Sequence, residues 1–355
     1  MTPSPGSEGY KAICAHDLFT NQRGYLELGE TGQRGKQNKK AVVIIPNFNG
    51  LRYIRECLES LNRQTFGDFY VCVVDNGSED GSCELIEREF PETELIRLDK
   101  NYGFARAVNE GIRKTSSEYV VLLNNDVVVN KNFLEKLYKA IDNRKSVFSY
   151  QAKMLKLFEK DRIDSAGDLY CALGWAFALG KDRPAKDYDE DCALFSACGG
   201  AAIYRRDLFE KTGMFDERHF CYLEDVDLCY RARINGYSVR LCPEALVYHA
   251  GSATSGSRHN AFKVRLSARN NIFLLYKNMP LIQLILNLPL LIAGHLIKLC
   301  FFTKKGLGRA YAGGIYEGFK LCAQAEKYRF RPENFVNYLR LQLELWINTI
   351  RRVTG

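Results

Sequence analysis

Three carboxylates stand close together in the segment YLEDVDL, at Glu224, Asp225 and Asp227. This segment is predicted to begin a helix, so all three fall in its first two turns. A carboxylate held over a reacting centre can take the proton from an attacking hydroxyl group as a general base. Acidic side chains at a helix N-terminus are also favoured by the helix dipole, so capping is the alternative role.

Polar side chains also follow each of four hydrophobic runs, and they are Asn47 and Asn49, Asp75, Asn101, and Asp126. The carboxyl ends of strands line the ligand-binding edge of an open α/β sheet, so a ligand is expected there. A carboxylate such as Asp126 can anchor Mg²⁺ or Mn²⁺ together with phosphate oxygens of a substrate. The alternative is that Asp126 caps a helix beginning near Asn130.

The elements that must position these groups alternate along the chain. Apolar runs predict strands at 41–46, 70–75, 94–99 and 119–126, with helices between them at 51–61, 83–90 and 104–115. This alternation predicts an α/β fold with a mostly parallel, doubly wound sheet. The glycine-rich fingerprints of nicotinamide-dependent dehydrogenases and of P-loop NTPases are absent from the sequence, which argues against both classes. A metal ion is therefore the expected partner of a bound diphosphate.

Several motifs, in order, resemble the inverting glycosyltransferases of family 2. They are AVVIIPNFNG, VVDNGSEDGS, NYGFARAVNEGI, LLNNDV, CGGAAIYRRDLF, YLEDVDLCYRARINGY and VYHAGSAT. The resemblance covers roughly residues 40–271, and the subgroup it points to is rhamnosyltransferase-like. It implies a GT-A-type fold, which is a Rossmann-like mixed sheet flanked by helices. A C-terminal, helical, membrane-associated region is expected to follow this domain.

The resemblance implies that the first half of the domain binds the nucleotide of a nucleotide-diphosphate sugar. The matching residues are Pro46, Asn47, Asn49, Asp75, Asn101, Gly103, Arg106 and Asn125. Asp75 would accept a base N–H or a ribose hydroxyl, and its alternative role is to close the turn at Gly77 and Ser78. The N-terminus of the third helix suits a phosphate because of its positive dipole end. Arg106 lies in that first turn, and its alternative is a solvated surface position.

The resemblance also assigns metal binding to Asp126 and His249, with Mg²⁺ or Mn²⁺ as the cofactor. Asn124 stands where family members carry another carboxylate, so the nucleotide would hold much of the ion. His249 is alternatively a structural histidine that follows a strand.

The catalytic base is assigned by the same resemblance to Asp225, with Glu224 as its neighbour, while Asp227 is expected to point toward Arg231. Contacts to the donor sugar and the acceptor are assigned to Asp164, Trp175, Gly199, Gly200 and Arg269. Trp175 is alternatively a buried core residue. The implied reaction is one in-line displacement that inverts the anomeric carbon.

The 355 residues divide into four predicted parts. Residues 1–39 are a polar extension without an apolar signal segment, with a short ordered piece expected at 25–28. Residues 40–150 are the nucleotide-sugar-binding half, residues 151–260 are the acceptor-binding and catalytic-base half, and residues 261–355 are a basic, leucine-rich helical region. The twelve cysteines lack zinc or disulfide spacing, so buried, reduced thiols are expected.

Positive charge is concentrated at the C-terminal end. Residues 256–355 hold 16 basic and 4 acidic residues, and the whole chain has a formal charge of +8. Between 281 and 302 the polar residues share one helical face, and they are Gln283, Asn287, His295 and Lys298. Lysines and an arginine follow at once. This pattern favours an amphipathic helix on an anionic membrane surface, with packing on the catalytic domain and a membrane span as alternatives.

These features predict a metal-assisted inverting glycosyltransferase at the cytoplasmic membrane face. Its acceptor would be a glycan or a lipid-linked sugar of cell-envelope polysaccharide synthesis, and rhamnose is the first expected donor sugar. The alternative is a catalytically silent nucleotide- or carbohydrate-binding protein on the same fold, which the intact set of Asp75, Asp126 and Asp225 argues against. Nucleic acid is not an expected partner, because the sequence carries no recognition motif for it.

Overall fold

The computed structural model describes residues 39–251 and 259–354, which belong to one compact unit. The predicted extension therefore lies outside the described residues except for Lys39. The strands are β1 (Ala41–Asn47), β2 (Phe69–Asp75), β3 (Glu94–Arg97), β4 (Tyr119–Leu123), β5 (Val127–Val129), β6 (Val147–Lys156), β7 (Ile163–Ser165), β8 (Asp168–Cys171), β9 (Trp175–Ala178), β10 (Ala193–Leu194), β11 (Ala201–Arg205) and β12 (Ser238–His249). The α-helices are α1 (Leu51–Asn62), α2 (Ser82–Glu89), α3 (Phe104–Lys114), α4 (Phe133–Asp142), α5 (Phe209–Thr212), α6 (Glu224–Ile234), α7 (Ala261–Asn278), α8 (Leu281–Lys304), α9 (Gly308–Ala323) and α10 (Phe335–Thr354).

One mixed sheet runs through the catalytic part of the chain. Its order is β10-β12-β6-β11-β4-β1-β2-β3, with β5 added to β12 and β7 added to β6. The four strands from β4 to β3 are parallel, as the alternating pattern predicts. The expectation of a mostly parallel sheet fails beyond β4, because β11 runs antiparallel to both β4 and β6. The two predicted halves of the domain thus share one sheet.

Helices cover both faces of this sheet, which explains the continuous apolar sequence of β1. Val43 and Ile45 pack in one hydrophobic core with α1 and α4, while Val42 and Ile44 pack in the other with α3. Successive side chains of a strand point to opposite faces, so a strand buried on both sides cannot alternate with polar residues.

Strand β4 ends at Leu123, three residues earlier than predicted, and Asp126 lies in the turn before β5. Helix α4 begins only at Phe133, so Asp126 is not its N-cap. Strand β5 pairs with the end of β12, and this pairing sets Val127 opposite His249. The turn after β4 is therefore brought next to a histidine that lies more than a hundred residues later in the chain.

A short hairpin connects the catalytic part with the C-terminal helices. In this hairpin, β8 pairs with β9 from Asp168–Ala178 at one end to Cys171–Trp175 at the other. The indole N–H of Trp175 donates to the carbonyl of Gly294 on α8 at 3.2 Å. The side-chain amide of Asn348 on α10 donates to the carbonyl of Tyr170 at 3.0 Å. The hairpin is thereby held by both helices.

Helix α8 is polar on its buried side and apolar on its exposed side. Asn287 is fully buried, and its amide nitrogen donates to Gln342 of α10 at 2.8 Å. Ile282, by contrast, is 80% exposed. The predicted shared polar face exists, but it turns toward the protein rather than toward water. Helix α8 is also the one described helix that is long and apolar enough to cross a membrane.

Helix α10 adds a second exposed apolar stripe beside that of α8. We call these stripes together the apolar face, and its most exposed members include Leu281, Ile282 and Ile285 on α8 and Leu343, Ile347 and Ile350 on α10. The indole N–H of Trp346 donates to Asn287, so α8 and α10 contact one another. Seven of the eleven cysteines in the described ranges are buried.

Helices α7 and α9 cross at close range through a glycine. A β-carbon at Gly314 would lie 2.1 Å from the carbonyl oxygen of Arg265. At the adjacent Gly313 the nearest atom would be 4.0 Å away, on the side chain of Arg265. Neighbouring glycines of one helix therefore differ sharply in the space around them.

We expect Gly314→Ala to lower the free energy of unfolding by about 2 kcal/mol, because the added methyl group overpacks the crossing. Gly313→Ala should raise it by up to about 1 kcal/mol through helix propensity alone. Urea unfolding of both variants measures the difference. Equal effects of the two substitutions would contradict the close crossing.

Candidate active site

The turn before α6 holds three bulky residues in the left-handed backbone region. The φ angles of Phe220, Tyr222 and Leu223 are 62°, 71° and 68°. Such angles are costly for residues with large side chains, so the surrounding structure must impose them. The imposing residue is Asn270 on α7, whose amide nitrogen lies within 2.9 Å of three carbonyl oxygens, those of residues 219, 221 and 222.

Arg269 takes part in the same restraint. Its guanidinium donates to the carbonyl oxygens of Arg218 and His219, both at 2.9 Å. The expectation that this arginine contacts the donor differs from what the structure shows, since these bonds direct it to the backbone of the turn. Burial lowers the pKa of Arg269.

Asp225 occupies the first turn of α6 and has no cationic partner among residues 39–251 and 259–354. Its carboxylate accepts hydrogen bonds from the backbone N–H groups of Val226 at 2.7 Å and Gly199 at 3.4 Å. Burial raises the pKa of Asp225 to about 6. The adjacent Glu224 is buried, and its Oε2 atom has no partner. Burial and then Asp225 raise the pKa of Glu224 well above its ordinary value.

Asp168, at the start of β8, lies close to Asp225, and the sequence analysis does not predict it as a site residue. Ligand atoms of Asp168, Cys198 and Asp225 lie within 4.8 Å of one another. Burial, and then the Asp225 carboxylate, raise the pKa of Asp168. The signal available in the sequence was the acid in IDSAGDLY, a segment that resembles the acceptor loop of the family. Burial also raises the pKa of the Cys198 thiol well above its ordinary value.

Asp227 lies in the same helix but is fully compensated. Its carboxylate accepts from Arg231 at 2.8 Å, from Lys277 at 2.9 Å and from Asn278 at 2.7 Å. Burial opposes ionisation, but the two cations hold the pKa of Asp227 well below its ordinary value. The predicted approach of Asp227 to Arg231 is confirmed, and the role of Asp227 is structural.

Asp126 and His249 face one another in a third cluster. The Nε2 atom of His249 lies 3.3 Å from Oδ1 of Asp126, and its Nδ1 atom lies 2.7 Å from Oδ2 of Asp164. Burial opposes protonation of the ring, but the two carboxylates raise the pKa of His249 to about 9.

This pair fits a small divalent cation. Adjacent ligands of an octahedral ion with bonds of about 2.1 Å lie about 3 Å apart, which is near the observed separation. A carboxylate on the far nitrogen of a histidine orients it for metal binding, and Asp164 takes that position. Asp164, which is predicted to contact a sugar, instead contacts protein groups with both oxygens. Oδ2 lies beside His249, and Oδ1 accepts from Lys181 at 2.6 Å.

Asn47 is the centre of a buried network at the ends of β1 and β2. Its amide nitrogen donates to Asp75 and to Ser82, both at 2.9 Å. Its amide oxygen accepts from Asn125 at 2.8 Å. The three residues predicted to contact the nucleotide, Asn47, Asp75 and Asn125, thus bind one another.

Asp75 closes a turn, as its alternative role required. Its second oxygen accepts from the backbone N–H of Ser78 at 2.9 Å. Asn49 is exposed beside this turn, with Pro46 partly exposed on the strand before it. These two residues, rather than the buried network, present atoms to the outside.

The start of α3 is arranged differently from the expected phosphate site. The backbone N–H of Ala105 donates to the carbonyl of Phe220 at 3.2 Å, so a protein group satisfies it. Gly103 has a φ of 87°, and a β-carbon there would lie 2.4 Å from the Phe220 oxygen. Asn101 accepts from the backbone N–H of Gly103 and stabilises the loop. Arg106 stacks 4.2 Å from the ring centre of Tyr102, and its buried Nε atom has no partner.

The turn at Gly199 and Gly200 connects Asp225 with the turn that holds Asp126. Gly199 donates to Asp225, while the carbonyl of Gly200 accepts from the backbone N–H of Asn124 at 2.9 Å. Trp175, the other predicted sugar contact, instead packs on α8. The structure therefore brings Asp225, Gly199 and the turn that holds Asp126 to one edge of the sheet.

Residues 42–213 match the family model described as Glycosyl transferase family 2. This stretch is a family 2 glycosyltransferase domain. The glycosyltransferase motifs that carry Asp225 and His249 follow the matched residues in the same sheet and helix layer.

Two curated relatives match 60% or more of the chain. The uncharacterized glycosyltransferase YwdF of Bacillus subtilis is 28% identical over 243 residues, which are 66% of this chain and 85% of the relative. An N-acetylglucosaminyl-diphospho-decaprenol L-rhamnosyltransferase of Mycobacterium tuberculosis is 25% identical over 239 residues, which are 60% of this chain and 77% of the relative.

The fold is also found in the solved structure of GalNAc-T7 with UDP, GalNAc and Mn²⁺. The similarity has a TM-score of 0.53 and 14% sequence identity, and it covers 66% of this chain and 48% of that one. At this identity the similarity concerns the fold alone. It confirms the GT-A-type mixed sheet flanked by helices.

We expect opposite stability effects from two substitutions in α6. Asp225→Asn should raise the free energy of unfolding by about 1 kcal/mol at neutral pH, allowing for partial exposure of the side chain. The folded-state pKa is raised, so the charged carboxylate destabilises the fold and the gain should grow as the pH rises from about 4 to about 6. Urea unfolding as a function of pH measures it.

Asp227→Asn should instead lower the free energy of unfolding by about 3–5 kcal/mol, because it leaves buried cations uncompensated. The depressed pKa means that the contribution of Asp227 is present at neutral pH and is lost only in acid. The same urea measurements apply, and stabilisation by both variants would show that the two carboxylates have been assigned the wrong roles.

Proposed function

We propose that the protein is an inverting glycosyltransferase that uses a nucleotide-diphosphate sugar and Asp225 as the catalytic base. The observation that carries this proposal is the uncompensated Asp225 carboxylate beside Gly199, at the sheet edge where Asp126 and His249 meet. Asp227, two residues later in the same helix, is fully paired, so a partly buried acid with no cationic partner among the described residues is a specific feature of position 225.

In the proposed reaction, Asp225 accepts the proton of an acceptor hydroxyl group while that oxygen attacks the anomeric carbon. The bond from this carbon to the diphosphate breaks as the new glycosidic bond forms, which inverts the configuration. The raised pKa of Asp225 suits a base that works near neutral pH. Asp168 is placed to accept or donate a hydrogen bond to the acceptor sugar.

A divalent cation, Mg²⁺ or Mn²⁺, would be held by Asp126 and His249 together with the donor diphosphate. When bound, it supplies positive charge that stabilises the leaving nucleoside diphosphate. Asp164 orients the His249 ring, and Arg106 can swing from Tyr102 to add a second positive charge at the diphosphate. Asn49 and Pro46 would border the base and ribose, while Asn47, Asp75 and Asn125 hold their loops in place.

We further propose a rhamnosyl donor and a lipid-linked or glycan acceptor of cell-envelope polysaccharide synthesis. The rhamnosyltransferase of M. tuberculosis, whose name specifies an N-acetylglucosaminyl-diphospho-decaprenol acceptor, supports both choices. Residues 40–150 would bind the donor, residues 151–260 the acceptor, and residues 261–355 a membrane. The apolar face supports peripheral attachment to the cytoplasmic leaflet.

Asp225→Asn should lower sugar transfer by roughly 10²–10⁴-fold while donor binding persists, because only proton removal is lost. Transfer from dTDP-rhamnose, and then from UDP- and GDP-sugars, is followed by release of the nucleoside diphosphate. The matched control is Asp207→Asn, at an exposed acid, which should leave the rate unchanged. Full activity of the Asp225 variant would rule out this base.

His249→Asn should raise the Mn²⁺ concentration needed for half-maximal donor binding by about tenfold or more, because a cation ligand is lost. Calorimetric titration of Mn²⁺ in the presence of nucleoside diphosphate measures this shift. His295→Asn, a histidine substitution on α8, is the control and should leave it unchanged. An unaltered Mn²⁺ titration in the His249 variant would place the cation elsewhere.

A further inference from the structure

Two cations meet at the junction of the hairpin with α8 and α10. The ammonium of Lys298 lies 5.6 Å from the ring centre of Trp175, and the guanidinium of Arg352 lies 5.5 Å from that of Phe177. Each cation thus sits over an aromatic ring of β9. Arg352 is also near enough to Lys298 for their charges to repel one another.

No carboxylate compensates these charges in the part of the chain that the structure describes, since neither residue belongs to an ion pair there. Two other cations of the C-terminal helices are paired, Lys277 with Asp216 and Arg265 with Glu317. Burial, with a smaller effect of Arg352, lowers the pKa of Lys298 to about 8. Lys298 is partly buried and Arg352 is exposed. Two adjacent cations without an acid form a site that an anion would stabilise.

We propose that Lys298 and Arg352 bind the diphosphate of a polyprenyl-linked acceptor. This inference rests on the proposed transfer of a sugar to a lipid-linked acceptor, and it names the part of the acceptor that the C-terminal helices recognise. The two cations would bind the phosphate groups of a lipid. The position of the site in the fold determines which lipid can be bound there.

The site adjoins the apolar face on one side. Lys298 lies on the buried side of α8, and its helix neighbours Leu296 and Ile297 are 56% and 53% exposed. On α10, Ile350 and Val353 flank Arg352 and are 64% and 72% exposed. A polyprenyl chain bound to a diphosphate at this place would therefore leave directly into lipid.

The site leads to the catalytic carboxylates on its other side. Trp175 pairs with Cys171 at the far end of the hairpin, and Asp168 begins the same strand beside Asp225. Three residues of extended strand span about 10 Å. This separation accommodates one sugar ring between the diphosphate and the reacting hydroxyl group. A phospholipid headgroup has no sugar that reaches Asp225, so the geometry favours the polyprenyl-linked acceptor.

The test compares binding to three kinds of phosphatidylcholine vesicle: plain, with phosphatidylglycerol, and with polyprenyl diphosphate at equal added charge. Wild-type protein should bind the polyprenyl diphosphate vesicles most tightly. Lys298→Met should weaken that binding by about tenfold, the loss of one charge-assisted contact, and leave binding to the other two vesicles unchanged. Lys298→Arg should restore it.

The matched control is Lys304→Met, at an exposed lysine in the last turn of α8. It should weaken binding to phosphatidylglycerol and to polyprenyl diphosphate vesicles equally. If Lys298→Met behaves in the same way, the site is a general headgroup site and the proposal is wrong. Unchanged binding to all vesicles in Lys298→Met would also overturn it.

Two further measurements distinguish a failure of this proposal from a failure of the proposed lipid contact or of the proposed transferase activity. Leu343→Glu should release the protein from all three vesicles, because it places a charge on the apolar face, and retention would refute lipid contact there. Nucleotide-sugar turnover in solution, without vesicles, should be the same in wild type and Lys304→Met. If neither protein turns over a nucleotide sugar, the transferase assignment is wrong. The vesicle result would still decide whether the diphosphate site exists.

Discussion

The candidate active site depends on a strained turn that one asparagine holds in place. Phe220, Tyr222 and Leu223 adopt backbone angles that bulky residues avoid, and the amide of Asn270 compensates by binding three carbonyl groups of that turn. The turn ends where α6 begins, so it sets the position of Asp225. The Phe220 carbonyl also accepts from Ala105, which fixes the start of α3. Helix α7 therefore acts on catalytic geometry without contributing a catalytic group.

Helix α6 carries two buried acids, Asp225 and Asp227, in opposite electrostatic environments. Asp227 is surrounded by Arg231, Lys277 and Asn278, which makes its charge favourable and anchors the helix. Asp225, two residues earlier, has only backbone donors, and its pKa is raised by burial. The ion pairs of Asp227 stabilise α6, the helix that also carries the unpaired Asp225. Such unequal environments are how proteins obtain a carboxylate base near neutral pH.

The C-terminal helices reverse the usual distribution of polarity. The polar side of α8 is buried, where Asn287 and Gln342 bind one another, and the apolar side is exposed. In water this arrangement is unfavourable, whereas beside lipid it satisfies every group. The hairpin that begins at Asp168 is held by the same helices, so the exposed apolar side of α8 is connected directly to the strand that carries Asp168.

The sequence by itself determined the parallel half of the sheet, because doubly buried strands must be continuously apolar, and it determined the family through motifs around Asp75, Asp126 and Asp225. It also located a polar stripe on α8. Only the tertiary structure decided which side of that stripe meets the protein, that Asn47 and Asp75 bind each other, and that Asp168 joins Asp225. These outcomes depend on contacts between segments far apart in the chain, as between β5 and β12, and local patterns carry no information about such partners.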